Sequence, residues 1–349
     1  MKCCSPAGVA TKAYFGLGAK TFGNPFGATS GNGGEQLPPA PPPPPAPNFT
    51  NRGTPTGNTA YVMQTDGLGT TLLINLTGQV WQSTDGGITW AHIFTLTPFA
   101  PVQTLGSFVY AAGTWCLNET GFVYRTKTPA TVWSRTSSAA QTAGGGCLAT
   151  NGAGQWFFIG NLVQSGGRTD SYSHSTDDGI SWSAASNVTA IQGMAPPFQM
   201  AFALSNYILP STDPATNFGI VETSTDTVNW TKTNVNPTSL TYTTITALGG
   251  KLYGMARDGT LVVATTIAEL ETPVVSSNTA QSNTWIVHTG TQFVVVADFG
   301  IGVVASPNDT GPWTSGNLTL SNTVSGCVYD PVNARVIVCD VSGNIATLP

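Results

Sequence analysis

The sequence predicts an all-β fold, a seven-bladed β-propeller closed by an N-terminal strand, on three observations. The octapeptide Ser83-Thr84-Asp85-Gly86-Gly87-Ile88-Thr89-Trp90 returns as Ser175-Thr176-Asp177-Asp178-Gly179-Ile180-Ser181-Trp182, and so long a pattern recurring in one chain announces a repeated hairpin unit. From Asn48 onward, short strand-like runs alternate with turns of Gly, Asn, Asp and Pro. Degenerate copies of the octapeptide place Trp at 90, 133, 182, 230 and 313, with Glu271 near a lost position. Those steps of roughly 41 to 49 residues are the size of a four-stranded blade.

The units follow in order. The first closes with Gly78–Gln82 leading into the first octapeptide, and the second with Gly121–Thr126, ending at Trp133 without the Asp or Gly. The third carries the second complete octapeptide. The fourth, Val221–Trp230, keeps Ser224, Asp226 and Trp230 but is one residue short. The fifth, Gly259–Thr266, has lost both Asp and Trp; the sixth runs from Val303 to Trp313. A seventh starts at Gly326, passes Val336–Cys339 and Asn344–Thr347, and lacks its last strand. Asn48–Gly57 reads like a segment that follows a box Trp, with Phe49 in its place. Pairing it with the last unit removes both free edges and gives seven blades; six is the count if the fifth unit merges with a neighbour. The domains read as 1–47, an extended Gly/Pro-rich arm, and 48–349, the propeller.

The arm holds Tyr14, Phe15, Phe22 and Phe26 among glycines, ahead of a proline run ending at Pro45 and Pro47. Such a run forms a polyproline II rod of about 3.1 Å per residue. A plain linker does not need the aromatics, so they read as contacts to another protein, against the alternative of a disordered tail.

These repeats resemble the Asp-box (BNR) repeats of β-propellers found in sialidases, some endoglucanases, sorting receptors, a photosystem assembly factor and many tailed-phage virion proteins. The resemblance implies that each box is a turn between a blade's third and fourth strands. Ser83, Asp85, Ser175, Asp177, Ser224 and Asp226 would then bond to turn backbone and Gly87 and Gly179 would take positive φ. Trp90, Trp182, Trp230 and Trp313 would pack inside their blades. The box aspartates are therefore structural rather than catalytic or calcium-binding. The sialidase activity of some members is not expected. The Arg-Ile-Pro signature is missing, and Arg52, Arg125, Arg135, Arg168, Arg257 and Arg335 are spread thinly.

Charged residues make up 8% of the 349 and the net charge is −5, so no basic stripe exists for a nucleic-acid backbone. Met1–Pro6 has no apolar run of the signal-peptide kind, and no 18-residue apolar stretch occurs. Asn-x-Thr sequons at Asn75, Asn118, Asn187, Asn229, Asn308 and Asn317 reflect composition. The six cysteines lack metal-ligand spacing. Cys327 and Cys339 flank a turn near Asn333, which leaves a cross-strand disulfide and two buried thiols as readings. Adjacent Cys3 and Cys4 carry no supporting context for an intermolecular link or an acylation site.

Hydrolysis of a glycan needs two carboxylates about 5 to 9 Å apart. The acids outside the boxes are Asp66, Glu119, Asp170, Asp213, Glu222, Asp258, Asp298, Asp330 and Asp340. Those followed closely by Gly are equally well read as hairpin turns. His92, His174 and His288 have no partner spacing, and no phosphate loop or nucleophile elbow occurs. The expectation is a non-enzymatic structural protein of a tailed-phage virion, on tail or capsid, without cofactor or metal. Residues 1–47 would bind other virion proteins, and the propeller would face a host-surface glycan or receptor or brace its neighbours. The alternative is a depolymerase of host polysaccharide, with paired carboxylates in a central cleft flanked by Trp115, Trp156 or Trp285.

Overall fold

Seven four-stranded antiparallel sheets make up the computed structural model. It describes residues 46–349 apart from 56, 58–59, 100–106, 120, 138–143, 165–166, 185, 193–199, 213–218, 236–239, 257, 274–276, 279–282, 298–301, 310, 319 and 321. The calls on Cys3, Cys4, Tyr14, Phe15, Phe22, Phe26 and the proline run to Pro45 lie outside the described residues.

Six sheets are meanders in chain order. Blade 1 runs through Ala60–Thr65, Thr71–Asn75, Gln79–Ser83 and Ala91–Thr95. Blade 7 takes three strands from the C-terminal end, Val324–Asp330, Arg335–Asp340 and Ile345–Leu348, and its outer strand from Thr50–Gly53. Thr50 lies opposite Thr347 and Asn51 opposite Ala346. Just ahead of it, Phe49 N donates to Asn317 O at 3.0 Å and Asn317 N to Pro47 O at 3.0 Å. Pro47–Asn48 thus clasps the outer edge of blade 6 before the chain becomes the last strand of blade 7. The ring is a seven-bladed β-propeller, closed by the segment around Phe49.

The core sits in the seams. Seven apolar clusters are shared, one each, between neighbouring blades. Strand alternation explains this: successive side chains point to opposite faces, so Leu72 and Ile74 enter the seam with blade 2 while Leu73 enters the seam with blade 7. Both faces of such a strand are buried, which is why Leu72-Leu73-Ile74 runs without a polar break inside the fully buried strand Thr71–Asn75. Phe49, 5% exposed, joins the cluster between blades 6 and 7.

Two sequence readings resolve here. In the fifth unit, the box is replaced by a short helix, Ile267–Glu271, capped at Thr266. Thr265 N donates to the Glu269 carboxylate at 2.6 Å. Leu270, not Glu271, is the buried side chain of that turn, and Tyr242 donates its hydroxyl proton to the Leu270 carbonyl at 3.0 Å. Cys327 pairs in register with Val338, and Cys339 with Gly326. That one-residue offset sends the two thiols to opposite faces of the sheet, into different clusters. Both are free and buried.

Candidate functional site

The box turns are hydrogen-bonded loops built on their Ser and Asp. Ser83 Oγ donates to Asp85 Oδ1 at 2.9 Å and accepts from Gly87 N at 2.9 Å. Asp85 accepts from Thr89 N at 2.9 Å and from Thr89 Oγ1 at 2.6 Å. Ser175 and Asp177 repeat the scheme with Gly179 N and Ser181. In the shortened box, Ser224 accepts from Thr227 N and Asp226 from Asn229 N and Nδ2. Hydrogen bonds from the Ser181 hydroxyl and amide hold Asp177 down at about 2, and those from Asn229 lower Asp226 further. Asp85 is lowered too; burial pushes it up, but the bonds from Thr89, Ser83 and Ile88 outweigh that.

The box tryptophans sit in the seams rather than within single blades. Trp90, Trp182, Trp230 and Trp313 each pack against the cluster shared with the preceding blade, and Trp230 meets Phe157 of blade 3 with ring centroids 5.0 Å apart. Gly87 and Gly179 have φ of +81° and +78°. A Cβ on Gly87 would stand 2.8 Å from Ile337 Cγ2 of blade 7. Gly87→Ala is therefore expected to cost about 2–4 kcal/mol, combining left-handed strain with overpacking. Urea unfolding measures it, with Gly113→Ala as the comparison, since that glycine has positive φ (+81°) but nothing within 4 Å.

The described carboxylates proposed for hydrolysis have other occupations. Asp66 accepts from Leu68 N and Thr70 N, Asp258 from Thr260 N, Asp330 from Val332 N and Asn333, and Asp340 from Ser342 N and Asn344. Glu119 is fully buried against Arg135, 2.8 Å away. Glu222 is fully buried in blade 4. Asp213 and Asp298 lie outside the described residues, as does the side chain of Asp170. The histidines stay apart: His92 pairs with Thr95, His174 with Ser183, and exposed His288 stands beside Phe293. Among the described residues, no three His, Cys, Asp or Glu gather to hold a metal ion, and no helix is long and apolar enough to cross a membrane. Trp115 and Trp156, proposed as flanking aromatics, are 3% and 1% exposed and belong to the seams.

What the ring does build is a central channel of about 500 Å³, to which the inner strands of all seven blades contribute. The described lining contains no Asp, Glu, Lys or Arg. Half-buried aromatics Phe202, Trp285 and Tyr329 face it together with Gln64, Thr65, Ser107, Thr150 and Thr246. Of the described residues singled out in the sequence as candidate sites, Trp285, His288 and Cys327 line it. The rest were invisible because the inner strands of successive blades start 36 to 57 residues apart in sequence.

No family model and no curated protein matches the chain. Solved structures do. A YCF48 bound to D1 peptide superposes with TM-score 0.64 at 14% identity, covering 88% of this chain and 97% of that one. A streptogramin B lyase gives 0.62 at 12% identity over 86% and 97%, and the Neurospora crassa Pan2 WD40 domain 0.62 at 10% over 88% and 97%. What they share is the fold. At such identities, seven blades around a channel serve a peptide-bound protein, a lyase and a WD40 domain, so the site alone informs function.

A second feature lies at the fourth box position, whose side chain points into the preceding blade. Asp178 receives Arg125 Nη2 at 2.7 Å, Lys127 Nζ at 3.0 Å and Thr114 Oγ1 at 2.8 Å, all from blade 2. Asp309 receives Lys251 Nζ at 2.6 Å and the Tyr253 hydroxyl at 3.2 Å from blade 5. In the first box the position is Gly86, and the space of its missing side chain is taken by Arg335 and Asn333 of blade 7. The available signal was an acid at that position with basic residues one unit earlier.

Proposed function

We propose that this chain is a non-enzymatic structural protein of a tailed-phage virion, on tail or capsid. Residues 1–47 attach it to other virion proteins, and the propeller is presented for host-surface binding or for bracing neighbouring subunits. The observation that carries the reading is the employment of the described candidate acids: turns, an arginine and the core take them up, while the described channel lining holds no Asp, Glu, Lys or Arg. Hydrolysis by paired carboxylates has no support among those residues. A binding surface needs only the rigid ring. The closure adds to this: it is made by residues 47–53, so attachment through the preceding arm leaves the blades intact.

The test is capture from the native source with the full chain and with a chain beginning at Ala46, which keeps the Pro47 clasp. Capsid or tail proteins are expected with the full chain alone. Equal capture by both chains, or phage proteins with neither, overturns the reading.

A further inference from the structure

We propose that the central channel binds an uncharged oligosaccharide. The proposal takes its setting from the host-surface role above and names the ligand class that the ring accepts. Its volume of about 500 Å³ falls within the roughly 300–1,000 Å³ of sites that enclose small ligands.

The lining selects the chemistry. An anionic sugar entering the channel would shed its hydration without meeting a permanent cation, because the described lining holds no Lys or Arg and only the imidazole of His288. An unpaired buried charge of that kind costs several kcal/mol. The field acts in the same direction. Residues 46–349 hold nine basic and sixteen acidic side chains, a net charge of −7 against −5 for the whole chain, and that excess repels anions during approach.

A purely apolar ligand fits poorly for the opposite reason. Gln64 Nε2 already donates to Phe108 O and Thr150 Oγ1 to Gln155 O, but Ser107 and Thr246 also present hydroxyls. Covering these without hydrogen bonds would cost about 1–3 kcal/mol for each group left unpaired. A neutral sugar satisfies both demands, since its ring has a C–H face and a rim of hydroxyls. Trp285 and Tyr329, on adjacent blades 6 and 7, are half-buried and pack against the seam cluster those blades share. Fixed in this way, they offer flat apolar surfaces at little entropic cost, each with a polar atom at one end. Phe202 supplies a third ring from blade 4.

The experiment is saturation-transfer NMR and calorimetry on the full chain. The probes are tetramers of glucose, galactose and N-acetylglucosamine, a galacturonic acid tetramer, and an uncharged Gly/Ser peptide. Binding of at least one neutral tetramer is expected, with none of the galacturonate. Trp285→Ala should weaken it at least tenfold and Thr246→Val severalfold, with Val132→Ser, at the exposed start of the strand Val132–Ser137, as the unaffected control. Thr246→Val changes one atom, so it keeps the test decisive should Trp285→Ala fail to fold. Binding of no neutral tetramer, equal binding of galacturonate, preference for the peptide, or affinity untouched by both channel variants overturns the proposal. Failure of particle capture with sugar binding intact would fall on the virion reading alone, and the reverse on this one.

Discussion

Asp178→Asn is expected to destabilise the ring by about 2 kcal/mol and to remove that carboxyl's own share of the sensitivity to acid. Arg125, whose side chain is 15% exposed, and Lys127, at 56%, converge on that carboxylate across the seam between blades 2 and 3. Asn holds the positive φ of +63° at this position as readily as Asp, so the substitution isolates the charge. Arg125 is then left partly buried without a counter-ion, the costly half of breaking such a pair. The exposed Lys127 contact contributes little.

The acid response follows from the same carboxyl. Burial pushes its pKa up, but hydrogen bonds from Lys127, Arg125, Thr114 and Trp156 outweigh that and bring it from 3.8 to about 2. A group depressed in the folded state contributes stability that is complete above its unfolded pKa and is lost as pH falls through the folded one. Allowing for solvent screening, the shift corresponds to about 1–2 kcal/mol, lost between about pH 4 and pH 2. Urea midpoints for both proteins across that window check it. Curves that stay parallel down to pH 2 would remove Asp178 from the account, since Asp177 and Asp226 titrate in both proteins.

The other large effect is at the closure. Phe49→Ala should cost about 3–5 kcal/mol by emptying a site in the seam of blades 6 and 7. Deleting residues 1–53 removes the whole strand, exposing the edge of Ile345–Leu348 and its partner groups. Loss of a cooperative melt and elution as large aggregates are expected for that deletion. A chain beginning at Ala46 should melt as the full chain does. Identical melting of the two truncated chains would show that the ring closes without the strand around Thr50.

The blades were legible because short strand-like runs alternate with turns marked by Gly, Asn, Asp or Pro. Phe49 marked the closing strand from sequence since it stands where a Trp stands elsewhere. The fifth unit was harder. Its Thr266-Ile267-Ala268-Glu269 run has the form of a helix-capping box, a local signal masked by the expectation of another β turn. The channel and the Asp178 clasp were illegible for a different reason. Both join residues from separate blades, and no spacing within one repeat encodes which residue the next blade will bring alongside. The box aspartates drew attention by recurring; Asp178 and Asp309 occupy a position that varies from box to box.

The strand at Thr50–Gly53 has a timing consequence. Its partner Thr347 is translated almost 300 residues later, about 15–60 s at ordinary rates of synthesis. Throughout that interval the strand has no sheet to join, while the blades after it form one by one. A segment kept waiting must not recruit neighbours, and Thr-Asn-Arg-Gly is short, polar and charged, the composition that discourages edge-to-edge association. The edge of blade 7 that is paired last is thus guarded, while the ribosome is still at work, by a strand with little to offer a neighbour.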